Sequence, residues 1–78
     1  MNKLGMNLLV ATKAKVEGEI AIAEANLNIL LQNPVGIGEH TDLAADVYIL
    51  VDTITAKSDM LSKVNEIISD NSNGGCIG

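Results

Sequence analysis

The sequence of 78 residues contains no Trp, Phe or Arg, and Tyr48 is its single aromatic residue. Proteins that bind single-stranded nucleic acid use aromatic side chains as stacking platforms. Binding to phosphates also draws on clustered Lys and Arg. Five lysines face ten acidic residues, for a net charge of −5, so we expect no nucleic-acid partner. The same acidic balance disfavours an anionic membrane surface.

Cysteine and long apolar runs are equally scarce. Cys76 is the single cysteine and cannot form an internal disulfide. We expect a free thiol, with an intermolecular bond or a modification as the alternative. The apolar run from Leu8 to Ala11 is far shorter than the ~20 residues of a membrane span. Polar residues from Asn7 onward also interrupt any signal-peptide core. These features predict no membrane association and a cytoplasmic location.

What the sequence does have is a strong apolar periodicity in two segments. Apolar residues recur at spacings of 3 and 4, which is the heptad pattern of packed helices and not the alternation of strands. The first stripe comprises Met6, Leu9, Lys13, Val16, Ile20, Ala23, Leu27 and Leu30, and the second comprises Leu43, Val47, Leu50, Ile54, Lys57, Leu61, Val64 and Ile68. The sequence therefore predicts an all-α fold with two long helices.

Capping and turn residues set the predicted boundaries. We predict one domain over 1–70, with a helix over about 3–32, a turn over 33–41, a helix over about 42–70 and a flexible tail over 71–78. The first helix can begin after Asn2 or after Asn7, both of which suit an N-cap. Pro34 cannot continue that helix. Thr41 is the expected N-cap of the second helix.

So short a connector predicts an antiparallel helical hairpin. The apolar stripe residues form its seam, yet further apolar residues lie outside the two stripes: Leu8, Val10, Ile22, Ile29, Leu31, Tyr48, Ile49, Val51, Met60 and Ile67. Apolar surface of that extent indicates an interaction site. We therefore expect the chain to be its own partner, most simply as a dimeric four-helix bundle. A higher oligomer or a complex with another protein is the alternative.

Two lysines interrupt the apolar stripes. In a hairpin closed by this turn, facing residues have numbers that sum to roughly 73, which predicts the cross-helix pairs Lys57–Glu17 and Lys13–Asp59. Such pairs can fix the register of two helices. Alternatively, both lysines bury their stems and keep the ammonium group in water.

The turn is the second candidate site. Its residues are Pro34, Val35, Gly36, Ile37, Gly38, Glu39 and His40. Either its apolar residues fold back over the end of the hairpin, or this end is a docking surface. One histidine beside two carboxylates is a weak zinc pattern, and the two glycines do not form a phosphate loop. We expect no metal, no cofactor and no catalytic residues.

The helical stretch 25–32 and the turn Asn33-Pro34-Val35-Gly36-Ile37-Gly38-Glu39-His40 resemble small uncharacterised helical proteins of large T4-like tailed phages, notably those of marine cyanobacteria. The resemblance implies a short helical protein made inside an infected bacterium. It implies no catalytic residues. The expected function is a non-enzymatic interaction module or modulator. The alternative is a structural or assembly component whose oligomer is its function.

Overall fold

The fold of the chain consists of two long α-helices. A computed structural model describes residues 2–32 and 43–74. Helix α1 spans Lys3–Gln32 and helix α2 spans Leu43–Gly74, with no strand among the described residues. The all-α prediction is confirmed, and the two helices are consistent with a helical hairpin. The predicted turn and the proposed N-cap Thr41 lie outside the described residues.

Asn2 determines where α1 begins. Its side-chain Oδ1 accepts a hydrogen bond from the backbone N–H of Gly5 at 2.8 Å, and its carbonyl accepts one from the N–H of Met6 at 3.1 Å. This is the N-cap arrangement that satisfies an otherwise unpaired donor of the first turn. Of the two candidate caps, Asn2 is therefore the one used, and Asn7 lies inside the helix.

The C-terminal end of α2 lies further along the chain than the sequence predicts. Asp70 was the expected last residue, but the helix continues to Gly74. The half-buried Asn71 lies inside this last part of the helix, and its Nδ2 donates a hydrogen bond to the carbonyl of Ile67 at 2.8 Å. Residues 71–74, which the sequence pattern assigns to the tail, therefore belong to α2. The last four residues, which include Cys76, lie outside the described part.

The helices pack side by side in opposite directions. Glu19 contacts Lys57 near the middle, and Leu31, at the end of α1, shares a groove with Leu43, at the start of α2. The molecule is a rod of 59 × 16 × 15 Å. An elongated shape is expected of two helices of 30 and 32 residues that lie side by side.

The core of this rod is a narrow seam. The structure places all sixteen residues of the two stripes, eight on each helix, in buried or half-buried positions. Three residues are fully buried: Val16 at 2%, Ala23 at 5% and Val64 at 6% exposure. No polar or charged residue is buried among the described residues. Each helix therefore buries a single stripe, and the remaining faces meet solvent.

Candidate functional site

The main candidate site is the apolar surface outside the seam. Among residues 2–32 and 43–74, ten large apolar residues are between 45% and 72% exposed: Leu4, Leu8, Val10, Ile22, Ile29, Leu31, Tyr48, Ile49, Val51 and Met60. Soluble monomers seldom leave so much apolar side chain in water, and such patches mark interaction sites. Apart from the Tyr48 hydroxyl, these side chains offer only van der Waals contact, so this surface suits binding to another apolar surface.

The exposed apolar residues differ slightly from the predicted set. Ile67 was expected outside the seam, but it is half-buried. Leu4 was missed and is 67% exposed. The predicted set does not include Leu4, because Gly5 and the second possible N-cap, Asn7, left open whether Leu4 belongs to the helix. The signal that finds Leu4 is the spacing of four residues to Leu8 on the same exposed face.

These residues are unevenly distributed on the two helices. On α1 they run from Leu4 to Leu31, which is nearly the whole helix. On α2 three of the four, Tyr48, Ile49 and Val51, lie in its first third. In an antiparallel pair this part of α2 lies beside the C-terminal end of α1. Exposed apolar residues therefore lie near both ends of α1, with a gap between Val10 and Ile22, and on α2 they are concentrated beside the C-terminal end of α1.

A cluster of three charged residues lies at mid-length, on the rim of the seam. Glu19 Oε1 lies 3.1 Å from Lys57 Nζ on the other helix, and Glu19 Oε2 accepts a hydrogen bond from Lys15 Nζ at 2.9 Å. The Lys15 and Lys57 ammonium groups hold the pKa of the Glu19 carboxyl below its ordinary value of 4.5. The cluster is satisfied within the chain and links the two helices.

The predicted partners of the two seam lysines are wrong. Lys57 pairs with Glu19 rather than Glu17, and no ion pair joins Lys13 to Asp59 among the described residues. The numbers 57 and 19 sum to 76 rather than roughly 73. Lys57 combines both of the predicted roles, since its side chain is only 29% exposed while its ammonium group reaches a carboxylate at the rim.

Two open grooves follow the contact between the helices. One, near the turn, is lined by Leu30, Leu31, Leu43, Ala44 and Val47. The other is lined by Glu24, Leu27, Asn28, Val51, Ile54 and Thr55. Neither contains a histidine, a cysteine or a pair of carboxylates. The groove near the turn offers only van der Waals contact, whereas the other adds the Glu24 carboxylate, the Asn28 amide and the Thr55 hydroxyl.

Three further features were considered as sites: the turn, a metal centre and a membrane span. The candidate docking turn, Pro34 to His40, lies outside the described residues. Over the part of the chain that the structure describes, no three His, Cys, Asp or Glu side chains lie close enough to hold a metal ion. Neither helix, over its described residues, has a segment long and apolar enough to cross a membrane.

Together, the fold and the site define an all-α, two-helix protein with a narrow seam and an apolar outer surface. Comparisons with protein-family models, with curated proteins and with solved structures give no match to this chain. What these two helices can bind is therefore inferred from the geometry of the described residues.

Proposed function

We propose that this chain is a small, self-associating, non-enzymatic interaction module that acts through protein contacts. The observation that supports the proposal is the imbalance between core and surface. Three residues are fully buried, whereas ten large apolar side chains are at least 45% exposed. A chain that buries so little of its apolar surface gains stability when a second molecule covers it.

The accessible area of the chain supports the same proposal. The described chain exposes 5579 Å². A compact monomer of 8.2 kDa is expected to expose about 4,500 Å². The excess of about 1,000 Å² is close to the ~800 Å² that each partner buries in a specific interface. Association of two copies is the simplest way to cover part of it, and two hairpins related by a two-fold axis form a four-helix assembly.

The resemblance of the turn to uncharacterised proteins of tailed phages supports a phage setting for this module. The module is phage-encoded, acts in the cytoplasm of the infected bacterium, and modulates another protein through its outer surface or its turn. A structural role is the second candidate. The exposed apolar residues run along nearly all of α1 instead of clustering at one end, which suits a building block with contacts along its length.

Self-association is tested by thermal unfolding at several protein concentrations. Circular dichroism at 222 nm, over roughly a hundredfold range of concentration, follows the helices directly. If two chains fold together, the midpoint temperature rises with concentration by mass action. A midpoint that stays constant over this range contradicts self-association.

The modulatory and structural roles are separated by affinity purification from a lysate of the infected host. A host protein recovered in a fixed ratio to the chain supports the modulator. Recovery of the chain alone, or with virion proteins, supports the structural component.

A further inference from the structure

Helix α1 has a second heptad stripe, on the side turned away from α2. Its residues, which we call the outer stripe, are Leu4, Leu8, Ala11, Lys15, Gly18, Ile22, Ala25 and Ile29. They follow one another at spacings of 4 and 3, and all eight are exposed. At 3.6 residues per turn, the outer stripe lies roughly 160° around α1 from the seam. Helix α1 therefore has the pattern of a helix with a neighbour on each side.

Helix α2 has no equivalent of the outer stripe. The positions turned away from α1 are occupied, at spacings of seven residues, by Asp52, Asp59 and Glu66, and all three are exposed. Five acidic residues and two lysines give α2 a net charge of −3. Two copies of the acidic face would repel each other. The outer face of α1 is therefore the better surface for contact between copies.

We propose that two copies of the chain associate through the outer stripes of their α1 helices, packed antiparallel. The proposal rests on the self-association proposed above and specifies its surface and direction. The charges of α1 are segregated along its length. Its lysines lie at 3, 13 and 15, and its glutamates at 17, 19 and 24. An antiparallel pair places each lysine half against a glutamate half, whereas a parallel pair places like charges together.

The sizes of the outer-stripe residues favour the same direction. In the antiparallel register in which facing residue numbers sum to 33, large residues face small ones along most of the stripe: Ile22 faces Ala11 of the second copy, and Leu8 faces Ala25 of the second copy. At each end of the stripe two large residues meet, because Leu4 faces Ile29 of the second copy. Alternation of large and small residues is what lets two helix surfaces interdigitate. A parallel pair would instead set Ile22 against Ile22 and Ala25 against Ala25.

The same register places Lys15 against Gly18 of the second copy. A Cβ atom built at Gly18 would meet nothing within 4 Å in the hairpin, so packing between the two helices of one chain does not explain this glycine. In the dimer, Gly18 leaves room for the stem of the facing Lys15. The ammonium group of Lys15, which bonds Glu19 of its own chain at 2.9 Å, would then also lie near Glu17 and Glu19 of the second copy.

The contact area is sufficient for a specific interface. Helix α1 has 30 residues and is therefore about 45 Å long. A contact strip as wide as a helix, 10–12 Å, covers about 500 Å² on each copy. The total of about 1,000 Å² reaches the lower bound for a biological interface. The four helices would lie in the order α2, α1, α1, α2, with the acidic faces outward.

The surface is tested with Ile22→Asp and its matched control Ile49→Asp. Both residues are exposed isoleucines, at 65% and 58%, but Ile49 lies on α2, outside the proposed interface. Sedimentation equilibrium should show a dissociation constant raised at least about tenfold by Ile22→Asp, because the change buries a charge at the interface. Ile49→Asp should leave the constant within about twofold. The opposite ranking overturns the proposed surface and assigns the interface to α2.

The direction is tested by disulfide trapping in a Cys76→Ser background. Two chains are prepared, one with Leu8→Cys and one with Ala25→Cys, and they are oxidised separately and as a mixture. The antiparallel register predicts a cross-link between the two different chains in the mixture and little cross-linking of either chain alone. Efficient cross-linking of each chain with itself overturns the antiparallel direction. Because cysteine is small and apolar, this test does not depend on destabilising the hairpin.

Failure of this inference is distinguishable from failure of the proposed function. A wild-type chain that remains monomeric contradicts both. If the wild-type chain is a dimer but Ile22→Asp does not weaken it and the mixed cross-link does not form, self-association is retained. Only the α1 interface is then overturned.

Discussion

Lys57 Nζ lies 3.1 Å from Glu19 Oε1, and this ion pair joins the two helices near mid-length. Both side chains are about one-third exposed, at 29% and 34%. The stem of Lys57 lies at a seam position, and its charge reaches the rim. The pair therefore marks which turn of α2 lies beside which turn of α1, and it does so without a fully buried charge.

Removing the carboxylate of Glu19 should loosen the hairpin. We expect Glu19→Gln to lower the midpoint of thermal unfolding at pH 7, because the half-buried Lys57 loses its anionic partner. The matched control is Glu17→Gln, since Glu17 is exposed and makes no ion pair with a described lysine. Equal midpoints for the two variants would contradict the role assigned to Glu19.

The stabilisation from Glu19 should also disappear in acid. Lys15 and Lys57 hold the pKa of Glu19 below its ordinary value of 4.5. A carboxyl group with a lowered pKa in the folded state contributes stability above its unfolded pKa, and this contribution is lost as the pH falls through the folded pKa. The difference in unfolding free energy between wild type and Glu19→Gln should therefore be constant above about pH 5 and shrink below the ordinary value. A difference that grows in acid would contradict this assignment.

The seam should not tolerate a charge. Val16 is 2% exposed, so Val16→Asp buries a carboxylate without a partner and should cost about 3 kcal/mol or more. We expect loss of helical circular dichroism at 25 °C. The control is Val10→Asp, the same change on the same helix at a residue that is 51% exposed, with an expected cost of about 0.5 kcal/mol. A stable, fully helical Val16→Asp would mean that the seam is placed wrongly.

The first turn of α1 should depend on Asn2. Asn2→Ala removes the oxygen that accepts the Gly5 N–H and should cost about 1 kcal/mol. In a domain of this size, that corresponds to a midpoint lower by about 4–8 °C. Asn7→Ala is the control, because Asn7 lies inside the helix, where alanine is the better helix former. Loss of stability from Asn7→Ala, with none from Asn2→Ala, would contradict the assigned cap.

Periodicity predicts most of this fold. The spacing of residues such as Val16, Ala23 and Val64 identified both helices and the side of each that faces the other, because a heptad pattern directly reflects helix geometry. The register between the two helices is harder to predict from the sequence. The pairing of Lys57 depends on the path of the chain between the helices, and a difference of two positions in α1 separates Glu17 from Glu19.

The local composition at the end of α2 predicts an earlier end of the helix than the structure shows. The run that begins at Asn71 contains residues typical of turns, but the side chain of Asn71 instead bonds back to the carbonyl of Ile67 and continues the helix. The binding partner of the outer surface is also not predictable from the sequence. Exposed residues such as Ile22 and Tyr48 show that an apolar surface exists. Apolar contact is non-directional, so it does not specify which partner binds there.

Self-association is the central claim, and solution mass tests it most directly. Size-exclusion chromatography coupled to light scattering measures that mass over a range of concentrations. We predict a mass of two chains, about twice the 8.2 kDa of one chain, that falls toward one chain on dilution. A well-folded particle with the mass of one chain at every concentration would contradict the claim and leave the outer surface of α1 free for a different protein.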